Sequence, residues 1–158
     1  MPIVRFVLGF QEIIIQTPGV RTSSFHIKEY AMPVIHRYDE KKKILFVTLK
    51  GTFTLAEFKS SMSRISGSPM YPADTNALWD LRSLDFASIN VDFWQQLFAI
   101  RQQHPEHQAA RLAHVIGDDF AFGMMRMYQI LASTSKNNLV KQLMVTKSYE
   151  QAEEWLQS

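Results

Sequence analysis

The chain has 158 residues, 46% hydrophobic and 20% charged, a balance that fits one soluble globular domain and not a disordered or collagen-like chain. Seventeen Lys and Arg against fifteen Asp and Glu leave a formal +2. That surplus is too small for the dense basic footprint of a nucleic-acid binder, and no apolar run approaches the ~20 residues of a membrane span. With no Cys there is no disulfide framework, thiol nucleophile or thiolate metal site, which fits a reducing, cytoplasmic setting.

Residues 1–31 read as an N-terminal extension or arm. Two apolar runs, 3–10 and 13–15, precede the turn-like Thr17-Pro18-Gly19. The single early charge Arg5, the break at Gln11 and Glu12, and the lack of a clean small-x-small cleavage site argue against a secretory signal. The segment is expected to be an extra hairpin or a loosely attached arm, with Met32-Pro33 as an alternative biological start. Residues 32–158 are expected to form the compact domain.

That domain opens with alternating apolar and polar residues at 33–38, a charged turn at 39–43 and a second strand at 44–50, together a β-hairpin. Thr54 and Glu57 have the spacing of a capping box, starting a helix to about Ser66 whose Leu55, Phe58, Met62 and Ile65 share one stripe. Pro69, Pro72 and Asp74 mark a loop before a buried central strand at 76–82. A second helix is expected from about Asn90, its cap, to Gln103, with Trp94, Leu97, Phe98 and Arg101 on one face. A strand at 112–116 leads through Gly117-Asp118-Asp119 into a third helix at 120–133. A last strand at 140–146 and a Ser148-capped terminal helix, with Ala152, Trp155 and Leu156 inward, complete the chain. The order β-β-α-β-α-β-α-β-α implies an α/β fold: a mixed, largely parallel sheet of about five strands with four helices. Ligands or partners are expected near the loops leaving the strand C-termini, 82–89 and 117–120.

The hairpin, the strand Leu78-Trp79-Asp80-Leu81-Arg82 and the segment Phe122-Gly123-Met124-Met125-Arg126-Met127-Tyr128 together resemble the STAS-like superfamily, in its SpoIIAA-like branch of small bacterial proteins, over residues 32–158. The resemblance implies an α/β fold, non-enzymatic regulation through protein contacts as in anti-sigma-factor antagonists, and fold kinship with the lipid-enclosing CRAL/TRIO carriers. In those antagonists a serine in an Asp-Ser-Ser-Gly turn at the start of the second helix is phosphorylated. Here the turn is Ala87-Ser88-Ile89-Asn90-Val91. Ser88 is its only hydroxyl, and Ile89 or Asn90 stands about where the acceptor would fall. Ser88 is therefore expected to cap a helix.

Catalytic and metal signatures are thin. No nucleophile elbow, triad, G-x-G-x-x-G or P-loop spacing occurs. His114 lies in an apolar strand, where a packed, hydrogen-bonded histidine is the ordinary reading. In His104-Pro105-Glu106-His107 the proline breaks the helix that would align ligands, and no third ligand is obvious. Asp118 and Asp119 suit a helix start, and Asp80, Arg82 and Asp85 suit strand-end pairing and turn capping more than acid–base work.

The third helix stands out because apolar groups occupy nearly its whole circumference. It is either buried between the sheet and a neighbouring element or partly open as an adaptable Met- and aromatic-rich surface, with Arg126 and Tyr128 supplying hydrogen bonds at the border and Gly123 permitting close approach. The expected function is a cofactor-free, non-enzymatic regulatory or protein-interaction domain, self-associating, with Asp80, Arg82, Ser88, Phe122, Gly123, Met125, Arg126 and Tyr128 as candidate contacts. The alternative is a carrier of a small apolar ligand or lipid in the same Met- and Phe-rich region.

Overall fold

The computed structural model describes residues 4–8, 11–15, 34–72, 74–103, 110–134 and 142–158, without the side chains of 4–8, 11–15, 131, 132 and 134. The chain divides into two compact units, Met1–Ala31 and Met32–Ser158. In the first, β1 (Val4–Leu8) and β2 (Gln11–Ile15) pair antiparallel, with Val4 opposite Ile15.

The second unit is a five-stranded sheet in the order β3-β4-β5-β6-β7: Val34–Asp39, Ile44–Gly51, Asn76–Leu84, Arg111–Val115 and Gln142–Thr146. β3 runs antiparallel to β4 and every later neighbour is parallel. Four helices accompany it: α1 (Leu55–Ser66), α2 (Val91–Gln102), α3 (Asp119–Thr134) and α4 (Tyr149–Gln157). This is the mixed α/β architecture expected of the element order.

Local chemistry sets the element ends. Asp39 Oδ1 accepts from the backbone N–H of Lys41 at 3.0 Å and of Lys42 at 3.1 Å, closing the charged turn, while Lys43 takes the left-handed conformation at φ 57°. The capping box is complete: Thr54 Oγ1 accepts from the Glu57 N–H at 3.2 Å and Glu57 Oε2 accepts from the Thr54 N–H at 2.6 Å. Asn90 Oδ1 caps α2 by accepting from the Phe93 N–H at 2.8 Å, and Asp118 Oδ1 caps α3 through the Ala121 N–H at 2.8 Å. Ser148 caps α4 through the Gln151 N–H, but the return contact is not made. Gln151 Oε1 instead accepts from the Thr146 hydroxyl at 2.7 Å.

The strand pleat then sorts the side chains. Leu45, Val47, Ala77, Trp79, Leu81 and Leu112 share one core with Phe58 and Met62 of α1, Trp94 and Leu97 of α2, and Ala121, Met125 and Tyr128 of α3. On the other face Phe46, Leu78, Ala113 and Val115 pack under Ala152 and Leu156 of α4. Three crossover helices therefore lie on one face and one terminal helix on the other, as expected when same-handed crossovers advance through neighbouring strands without reversing direction. Gly117 stands where β6 leaves the sheet, and a Cβ there would make a tight 3.1 Å approach to the Arg82 carbonyl oxygen.

Removing the Thr54 hydroxyl leaves the Glu57 N–H without its acceptor and breaks the hydroxyl's own bond to Glu57 Oε2, while the Thr54 backbone N–H keeps the Glu57 carboxylate. Thr54→Ala is expected to lower stability by about 1 kcal/mol in urea unfolding with an unchanged m-value.

Candidate functional site

The candidate residues do not form one site. Alternation along β5 turns Trp79 and Leu81 toward α1–α3, and turns Leu78, Asp80 and Arg82 toward α4. Asp80 and Arg82 are thus across the sheet from Phe122, Met125 and Tyr128. The sequential strand order also lacks the reversal that opens a ligand crevice in doubly wound sheets, so the strand-end edge is no pocket by topology. Asp80 and Arg82 form a two-pronged ion pair, Nε to Oδ1 at 2.9 Å and Nη2 to Oδ2 at 2.7 Å. Arg82 also lies 5.4 Å from the Tyr149 ring centroid. The Arg82 guanidinium holds the Asp80 carboxyl below its usual range, which makes it an ion-pair acceptor and a poor general base near neutrality.

Ser88 is not a helix cap. It ends a short 3-10 turn, Phe86–Ser88, whose cap is Asp85, and its hydroxyl donates to the Asp85 carbonyl at 2.8 Å. Asn90 occupies the α2 cap position and accepts from the Phe93 N–H, and Ser88 lies two residues outside it. The stretch His104-Pro105-Glu106-His107 lies outside the described residues. Among the described residues, no group of three His, Asp or Glu could hold a metal ion.

On α3 the inward stripe is Ala121, Met125 and Tyr128, all buried, with Phe122 and Met124 half-buried beside it. Two expectations are corrected. Met125, 1% exposed, is core and not contact surface; Tyr128 is not a border residue, since its ring packs 5.4 Å from Trp94 and 5.9 Å from His114. The outward stripe is Phe120, Gly123, Met127 and Ile130, with Phe120 and Ile130 each about 60% exposed. Arg126 is exposed, but its guanidinium is engaged by Gln129 Oε1 at 2.7 Å, and Gln129 in turn donates to the Leu143 carbonyl of β7. Between α2 and α3 runs a groove of about 420 Å3, walled by Val91, Trp94, Gln95, Phe98, Met127 and Tyr128.

Beneath that groove is a polar cluster that periodicity alone did not single out. Arg101 is 5% exposed. Its guanidinium lies 5.9 Å from the Trp79 ring centroid and 4.0 Å from the Met62 sulfur. No carboxylate among the described residues pairs with it. His114, also buried, leaves its Nδ1 without a hydrogen-bond partner, and so does Trp94 Nε1. Burial, reinforced by the Arg101 charge, pushes the His114 imidazole from 6.5 down to about 3. Arg101, His114, Trp94 and Tyr128 line a cavity of about 30 Å3. The available signal was Arg101 in phase with Trp94 and Leu97, which places a cation on the buried face.

No family model and no curated protein sequence matches the chain. Among solved structures it is similar to an uncharacterized protein of the DUF3478 family from Shewanella loihica PV-4, described as having a SpoIIAA-like fold. The TM-score is 0.54 at 12% identity, over 78% of this chain and 91% of that one. The chain therefore has the SpoIIAA-like fold that its sequence resembles.

His114 gives this cluster a pH signature. Between about pH 6.5 and 3 the unfolded chain binds a proton that the folded chain refuses, so stability falls as pH drops through that window, at up to about 1.4 kcal/mol per unit. His114→Phe is expected to lose less melting temperature than the wild type between pH 7 and 4, measured by calorimetry; parallel losses would contradict the assignment.

Proposed function

We propose that the chain is a non-enzymatic, cytoplasmic regulatory domain that works by protein contact and associates with a second copy of itself through the outer stripe of α3. The observation that carries this reading is the stripe Phe120, Gly123, Met127, Ile130. A glycine inside a helix costs about 1 kcal/mol relative to alanine. Among the described residues nothing compensates for Gly123, since a Cβ built there meets none of their atoms within 4 Å and its backbone is not left-handed. It leaves a notch in an apolar face.

The spacing of the stripe, three, four and three residues, reads the same in both directions. Two antiparallel copies of α3 crossing at the level of Met125 therefore bring Phe120 opposite Ile130 and fit Met127 over Gly123, twice, by one twofold axis. Flexible Met in a glycine notch is a self-complementary shape. Size sets the strength: α3 is about 24 Å long, and with α2 beside it the layer spans roughly 24 Å by 20 Å. That footprint is smaller than the ~800 Å2 per partner of a stable complex, so the pair is a reversible one.

A second reading rests on the groove beside Met127: its size and apolar walls suit a small apolar ligand.

Phe120→Asp and Ile130→Asp are expected to abolish concentration-dependent association in sedimentation equilibrium while changing stability by no more than about 0.5 kcal/mol, because both sites are exposed. Gly123→Leu should fill the notch, block pairing and raise the stability of the monomer. Met125→Asp should unfold the domain. A wild type that stays monomeric at several hundred micromolar would remove the reading.

A further inference from the structure

Among the described residues the buried guanidinium has no counter-charge. Taking a cation out of water costs several kcal/mol unless an anion or a full set of hydrogen bonds compensates, and buried charges are therefore paired. Arg101 meets a thioether, an indole face, a neutral imidazole and a phenol. None of these carries a negative charge at neutral pH; burial pushes the Tyr128 hydroxyl further up, against the opposing pull of Arg101. Two buried polar atoms beside it are also unsatisfied: Trp94 Nε1 is a fixed N–H donor, and His114 Nδ1 can donate in the appropriate tautomer. The residues that carry these groups all line one cavity of about 30 Å3, room for one or two waters and the size of a small anionic head.

Trp94 and Tyr128 line both this cavity and the groove of about 420 Å3, so the two spaces share these rings. The groove offers apolar sides to a ligand body, and among the described residues its polar wall side chains are Gln95, Trp94 and Tyr128. We propose that Arg101, with the Trp94 indole N–H, forms the anion socket of a binding site for a monocarboxylic acid with an apolar body, its carboxylate at Arg101 and its hydrocarbon in the α2–α3 groove. This rests on the carrier reading of that groove and names the ligand class. Turning the Trp94 and Tyr128 rings joins the two spaces. Ligand binding then supplies the missing counter-charge and the missing acceptor in one step.

The probes are octanoate, 1-octanol and acetate at pH 7.5, titrated by calorimetry and followed by Trp fluorescence, since Trp79 and Trp94 both border the cavity. Octanoate is expected to bind at least tenfold more tightly than 1-octanol, which lacks the charge, and than acetate, which lacks the body. Arg101→Met is expected to erase the preference for octanoate over octanol and to melt higher than the wild type without ligand, because an uncompensated cation has been replaced by a thioether. Should that variant not fold, Trp94→Phe removes the indole donor and keeps the aromatic wall. It should weaken octanoate at least threefold and leave octanol unchanged. Equal binding of octanol and octanoate, or a preference that survives these substitutions, overturns the anion socket and leaves the apolar carrier standing. Acetate binding as tightly as octanoate overturns it in favour of a bare anion site, and no binding of any probe removes the carrier reading as well.

Discussion

A sheet whose strands follow one another in sequence order can shelter only one side of each crossover helix. α1, α2 and α3 lie on the same face, side by side, and each turns a single stripe to the strands. For α1 this suffices, because its large apolar residues Leu55, Phe58, Met62 and Ile65 share one stripe and its outer face is mainly polar. For α3 it does not. Ala121, Met125 and Tyr128 use up the inner side, and Phe120, Met127 and Ile130 remain outside it. The outer stripe, the Gly123 notch and the groove toward α2 all follow from this excess of apolar surface over available shelter.

The same layer hides the least comfortable group in the fold. Arg101 projects from the inner side of α2 into a small cavity lined by Trp79, Trp94 and Tyr128, and stability alone would favour an apolar side chain there. That cost is what supports the proposed binding role of Arg101. Met127 belongs both to the groove wall and to the outer stripe. The proposed filling of the groove and the proposed pairing of α3 share this side chain, which would couple the two events.

Local signals were legible where they depend on near neighbours in sequence. The Thr54–Glu57 box, the Asn90 cap and the five strands follow from spacing and side-chain chemistry, and the structure places them within a residue or two of expectation. What sequence could not supply was phase and adjacency. An almost wholly apolar helix has no polar side to mark its exterior, so whether Met125 or Met127 faced inward was undetermined until the sheet was in place. The period-two alternation of β5 did hold the information that Trp79 and Asp80 point to opposite faces, and grouping Asp80 with the α3 residues passed over it. The isolation of Arg101 depends on what three other elements bring to it, which no local pattern contains.

The proposed antiparallel pairing of α3 can be tested directly because the chain has no Cys of its own. Phe120→Cys and Ile130→Cys proteins, mixed in equal amounts and treated with a short bismaleimide, should yield mainly the mixed 120-to-130 crosslink by mass spectrometry, and little of the 120-to-120 product. Equal amounts of all products, or the absence of crosslinked dimer at concentrations of several hundred micromolar, would contradict the account.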